Sequence, residues 1–164
     1  MTDGEAAATG TVAARLRELG LTLPPVAAPV AAYVPAVRSG SLVWTSGQLP
    51  FVDGALAATG LVGDGPDDVS PELAKGLARA AALNALAAVA DVTGDLDAVV
   101  RVVKVVGFVA SAPGFTGQPQ VVNGASELLG EVLGAAGVHA RSAVGVAALP
   151  LGSPVEVELV VEVR

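Results

Sequence analysis

The C-terminal stretch SPVEVELVVEVR alternates cleanly. Val155, Val157, Leu159, Val161 and Val163 fall on one face, and Glu156, Glu158, Val160, Glu162 and Arg164 on the other. A period of two marks a strand with one buried face. Upstream, LDAVVRVVKVVGFVAS (96–111) is Val-rich and β-branched, which predicts a long strand, and ARSAVGVAAL (140–149) predicts another. Two short strand-like runs flank Arg38-Ser39-Gly40-Ser41, a hairpin signal, and Asp53-Gly54 marks a second turn. Helical patterns fill the gaps. In TVAARLRELG (11–20), Val12, Leu16 and Leu19 share a face and Gly20 is a stop. Ser70, Pro71 and Glu72 supply a capping hydroxyl, a first-turn proline and a dipole-matched acid. They open PELAKGLARAAALNALAAVADVTG (71–94), whose Ala-rich second half is nearly uncharged and should be buried. PQVVNGASELLGEVLGAAG (119–137) predicts a further helix ending at Gly137.

The order is hairpin, helix, long strand, helix, two strands. It predicts an α+β fold with a mixed sheet and helices packed on one face. The other face then needs a cover that one chain does not supply, and a ring of copies such as a trimer would supply it. Residues 1–9 are small and polar and read as a flexible tail, with 10–164 as a single domain. The three prolines in LTLPPVAAPV (21–30) predict an extended connector.

Composition sharpens this picture. Hydrophobic residues make up 52% of the 164, mean hydropathy is +0.65 and only 15% are charged. A membrane span would need roughly 20 uninterrupted apolar residues. The apolar runs are broken by Pro, Gly, Gln, Asn or Arg, so burial against copies of the same chain is the expectation, with no membrane partner. Net charge is −7, which argues against a nucleic-acid partner, since such binding relies on clustered Lys and Arg. There is no Cys and one His, so thiolate chemistry is excluded and no metal site is expected. The N-terminus has no basic-then-apolar leader, and the expected location is the cytoplasm.

Three segments carry a family resemblance: YVPAVRSGSLVWTSGQLP, VVKVVGFVASAPGFTGQPQVVNGASELL and HARSAVGVAALPLGSPVEVELVVEV. In this order and spacing they resemble the RidA family, also called YjgF or L-PSP, across roughly Leu19 to Val163. RLRELGLTLPPV is similar to a longer branch of that family. The resemblance implies a chorismate-mutase-like α+β fold, a homotrimer with a central sheet barrel and clefts between subunits. It also implies hydrolytic deamination of 2-enamino or 2-imino acids to 2-keto acids and ammonia, without metal or cofactor.

Residue by residue, the resemblance assigns Arg141 to the substrate carboxylate. A guanidinium fork matches a carboxylate bidentately, and Arg141 is the one formal charge between Glu131 and Glu156. Glu156 matches the acid that positions water, the alternative being an ion pair with a neighbouring subunit's arginine. The Gly47 N–H also meets the carboxylate, and Ser46, Tyr33 and Asn123 line the pocket; a helix-start cap is the alternative for Asn123, and a core side chain with its hydroxyl at the rim for Tyr33. Ala143 stands where the family often has Cys, with its backbone toward substrate. Gly145 and Ala148 replace larger polar residues of short members. Glu158 and Glu162 read as a solvated strand face, Lys104 and Arg101 as interface or solvent charges, and His139 as a loop residue. A non-catalytic trimer that binds small 2-keto carboxylates is the competing reading, and an endoribonuclease a weaker third.

Overall fold

The Ser70 hydroxyl accepts from the Leu73 N–H at 3.2 Å, and with Pro71 in the first turn it starts the longest helix. The computed structural model describes residues 11–26 and 32–164; the predicted tail lies outside the described residues, as does part of the connector. The elements run α1 (Val12–Glu18), β1 (Ala36–Ser39), β2 (Leu42–Thr45), β3 (Phe51–Val52), β4 (Ala55–Leu56), α2 (Pro71–Thr93), β5 (Val99–Ala110), α3 (Gln118–Leu133), β6 (Ala140–Val146) and β7 (Val155–Val163). Both predicted turns form, at Gly40-Ser41 between β1 and β2 and at Asp53-Gly54 between β3 and β4. Helix α3 stops earlier than its pattern suggested. Gly134 takes a positive φ, and a tight helical turn covers 134–137.

The main sheet has the order β1-β2-β7-β5-β6. Only β5 and β6 run parallel; the other neighbours are antiparallel. The predicted mixed α+β sheet is therefore present, with α2 and α3 side by side on one face. Strand β7 sits centrally because its odd-numbered face is wholly apolar: Val155, Val157, Leu159, Val161 and Val163 are all buried. Against them pack Leu77, Ala81, Leu86 and Val89 of α2 and Leu128 and Leu129 of α3. By length and apolarity alone α2 could cross a bilayer, but its buried residues belong to this core.

The strand predicted at 140–149 forms as β6, which is the sheet edge, and within one chain none of its residues is fully buried. The apolar character faces elsewhere. On the sheet face away from the helices, Val37, Trp44 and Val144 are each about half exposed. The register sets Val37 beside Trp44 and Trp44 beside Val160, and pairs Val144 with Phe108, with Lys104, Glu156 and Glu158 between these two apolar groups. Exposed apolar side chains grouped in this way mark an interaction face.

Leu86 lies at the centre of the one core and is fully buried. Leu86→Ala should lower unfolding free energy by about 2–5 kcal/mol, read as a reduced midpoint in urea with an unchanged slope.

Candidate functional site

The predicted site residues fall into two groups. The first lies where β2 leaves β7. Past Thr45 the ladder breaks. The Thr45 hydroxyl accepts from the Leu159 N–H at 2.9 Å, and regular pairing returns only between Gln48 and Val157. Ser46 and Gly47 occupy this irregularity. The Ser46 hydroxyl donates to the Val34 carbonyl at 2.6 Å, and its N–H donates to the Pro35 carbonyl at 2.8 Å. These bonds hold the 33–35 segment, with an exposed Tyr33, beside Ser46. Gly47 has a specific reason to be glycine: a Cβ there would collide with the Glu156 carboxylate, which lies directly over it. Among the described residues no acceptor takes the Gly47 N–H, so a donor and a carboxylate stand side by side.

Glu156 is half-buried, and burial pushes its carboxyl above the ordinary glutamate value, with the neighbouring Glu158 charge adding to the effect. Glu158 is raised too, again by burial. That corrects the reading of Glu158 as freely solvated: both carboxylates rise from a largely apolar sheet face.

The second group surrounds Arg141 on β6. Arg141 pairs in register with the buried Val105, so its side chain is on the helix face of the sheet. There Nη1 donates to Asn123 Oδ1 at 2.8 Å and to the Ser126 hydroxyl at 3.2 Å, and Nη2 donates to the Pro119 carbonyl at 3.2 Å. Asn123 is thus an arginine partner inside α3; the start of that helix is capped at Gly117. A guanidinium has five N–H donors. Both terminal nitrogens are engaged, and among the described residues no acceptor takes Nε–H, which leaves the Nε edge as the side open to a carboxylate. Ala143 is on the same face two residues on, packed against the core. Gly145 follows, where a Cβ would come within 2.8 Å of Gln118 Nε2 and 3.0 Å of Ser111 Oγ. A side chain there would displace the Gln118 amide, the far end of a flexible side chain.

Within one chain the two groups do not meet. Glu156 pairs with Phe108 and Arg141 with Val105, so β5 runs between them. Two strand spacings are about 10 Å, and the side chains point to opposite faces. Ser126, not singled out from sequence, belongs to the Arg141 group. The signal was available: Asn123 and Ser126 are three apart on a helix, one turn on the same face. His139 does precede β6 in a loop, but its ring is also bonded, through Nε2 to Ser126 Oγ at 2.9 Å and through Nδ1 to the Gly137 carbonyl at 2.6 Å. Lys104 Nζ donates to the Ser142 hydroxyl at 2.9 Å on the open sheet face. Among the described residues no three His, Asp or Glu side chains converge as a metal site.

This arrangement has relatives. Residues 13–163 match the family described as "YjgF/chorismate mutase-like, putative endoribonuclease". The chain belongs to the YjgF/chorismate mutase-like family. A curated relative, protein TCP17 of Trypanosoma cruzi, is 47% identical over 158 residues, 96% of this chain and 97% of its own length. The crystal structure of Atu1372 from Agrobacterium tumefaciens, a protein of unknown function, superposes with a TM-score of 0.84 at 46% identity, covering 93% of this chain and 92% of that one. A Shewanella oneidensis structure described as "a putative endoribonuclease" superposes with a TM-score of 0.89 at 33% identity, covering 94% of this chain and all of that one. Its YjgF-like fold therefore extends to nearly the whole chain.

The raised Glu156 carboxyl has a definite sign. The fold favours its protonated form, so its contribution to stability is fully present below the unfolded-state value of 4.5 and is lost as pH rises through the higher folded-state value. Carbon-detected NMR titration should show Glu156 titrating above Glu131, whose carboxyl is lowered by its hydrogen bond from Arg79. Glu156→Gln should flatten this part of the stability profile.

Proposed function

We propose that the protein hydrolyses small 2-imino acids, the tautomers of 2-enamino acids such as 2-aminoacrylate, to 2-keto acids and ammonia in clefts between subunits. The observation that carries this reading is the pairing of two incomplete half-sites. One offers an arginine with an open Nε edge; the other offers an N–H beside a carboxylate of raised pKa. A neighbouring copy seated on the open apolar sheet face can bring the first half-site of one subunit to the second of the next. Three copies in a ring, each using the same two surfaces, close such an assembly.

In this cleft the open Nε edge of Arg141 takes the substrate carboxylate, and the Gly47 N–H from the adjoining subunit donates to the same anion. Asn123, Ser46, Tyr33 and the Ala143 backbone shape the remaining wall. The imine carbon is then presented to a water held by Glu156. As carboxylate, Glu156 accepts the water proton while the oxygen attacks carbon. The protonated acid returns that proton to nitrogen, giving a carbinolamine; Glu156 then takes the hydroxyl proton and passes it to the amine, and ammonia leaves as the C=O bond forms. A carboxyl with a raised pKa suits both directions of transfer, being a better base when ionised and a firmer holder of the proton than an ordinary carboxyl. Imine hydrolysis is intrinsically easy, so a held substrate and one acid–base group are sufficient machinery.

Because the family description and the Shewanella relative both carry the word endoribonuclease, RNA cleavage is a second reading. The charge opposes it: net −7, with Glu156, Glu158 and Glu162 together on the sheet face that would meet phosphate.

With 2-aminoacrylate generated in situ, purified protein should accelerate keto-acid formation. Arg141→Ala should lower kcat/KM by ten- to a hundredfold, the loss of a charge-assisted pair of about 1.5–3 kcal/mol. Glu156→Gln should lower kcat by roughly 10²–10⁴-fold while still binding 2-ketobutyrate by calorimetry. Native protein no faster than Arg141→Ala would refute deamination; binding without any turnover would favour a carboxylate-binding module.

A further inference from the structure

The Arg141 guanidinium does not stand alone. Its Nη1 donates to the Ser126 hydroxyl, and that hydroxyl lies 2.9 Å from His139 Nε2, with His139 Nδ1 2.6 Å from the Gly137 carbonyl. The proton arrangement follows from what each group can do. A carbonyl only accepts, so Nδ1 carries a hydrogen and donates to Gly137. In the neutral ring Nε2 is then an acceptor, and the Ser126 hydroxyl donates to it. That leaves the Ser126 lone pairs directed at Arg141, which donates into them. Carbonyl, imidazole, hydroxyl and guanidinium form one directed chain.

Its far end is fixed. Gly137 is buried, and a Cβ there would strike the Leu129 carbonyl, so the carbonyl that orients the imidazole belongs to the packed end of α3. The near end lies on the sheet edge, where an arginine side chain would otherwise sample many rotamers. The chain engages Nη1, the nitrogen away from the open Nε edge. We propose that Ser126 and His139 are positioning residues that lock the Arg141 guanidinium with its Nε edge turned to the substrate carboxylate. The proposal rests on Arg141 as carboxylate anchor and goes beyond it by assigning roles to two residues that touch no substrate. It also explains the spacing: Asn123 and Ser126 one helical turn apart, His139 and Arg141 two apart ahead of and on β6, so that each pair shares a face.

Positioning an anchor that grips ground state and transition state alike should change KM and leave kcat nearly alone. The test compares Ser126→Ala with Ser126→Thr, which keeps the hydroxyl, and His139→Phe with His139→Gln, whose amide oxygen can accept in place of Nε2. Each is assayed by calorimetry with 2-ketobutyrate and by steady-state turnover of the 2-aminoacrylate-derived imine, with Arg141→Ala alongside. Ser126→Ala and His139→Phe should each weaken 2-ketobutyrate binding and raise KM by about tenfold, with kcat within about twofold, as expected for lost preorganisation. Ser126→Thr and His139→Gln should recover most of the loss. Native affinity in Ser126→Ala, while Arg141→Ala fails to bind, overturns the positioning role and leaves the anchor intact. Unchanged affinity in Arg141→Ala overturns the anchor and this inference with it. Should His139→Phe not fold, Ser126→Ala, which removes one oxygen atom, decides.

Discussion

Strand β5 runs between Glu156 and Arg141, and the chemistry of the protein depends on that interposition. The parallel β5–β6 pairing puts Arg141 on the helix face, and the antiparallel β5–β7 pairing puts Glu156 on the open face. A small 2-imino acid has a carboxylate adjacent to its reacting carbon, so its anchor and its water must lie within a few ångströms of each other. One chain cannot provide both. In the proposed function, the arginine of one copy and the carboxylate of another would act on the same substrate.

The same geometry gives meaning to the uncovered sheet. Trp44, Val37 and Val144 lie exposed beside Glu156 and Glu158, whose carboxyls are already raised by partial burial. Covering this face with a second copy would withdraw more water from both acids. In the proposed assembly, the contacts that complete the cleft would also tune its carboxylate through this one surface. The Arg141 side draws its order from within the chain, through Asn123, Ser126, the Pro119 carbonyl and the His139 ring.

Much of this was legible in the sequence, for identifiable reasons. The β7 alternation set both the buried face and the carboxylate face, because a period-two pattern has one solution when one side is wholly apolar. Ser70, Pro71 and Glu72 located the start of α2 to the residue, since their capping chemistry is local. What escaped was set by tertiary placement. ARSAVGVAAL reads as a strand, but its place at the sheet edge is decided by pairing partners far along the chain. Glu158 read as solvated because alternation reports which face a residue is on and not how much neighbouring side chains shield it. The Ser126–His139 contact joins residues 13 apart across a tight turn, a closure that neither helix nor strand periodicity announces.

The central claim is that Arg141 and Glu156 act across a subunit boundary, and mixing two impaired variants tests it directly. Arg141→Ala and Glu156→Gln proteins, each strongly impaired alone, would be unfolded together in equal amounts, refolded, and checked for hybrid assemblies by native mass spectrometry. Every hybrid three-membered ring contains one boundary with both native residues, so random mixing should restore about a quarter of native deaminase activity. Verified hybrids with no recovered activity would contradict the account, because a site contained in one chain stays broken in every subunit of the mixture.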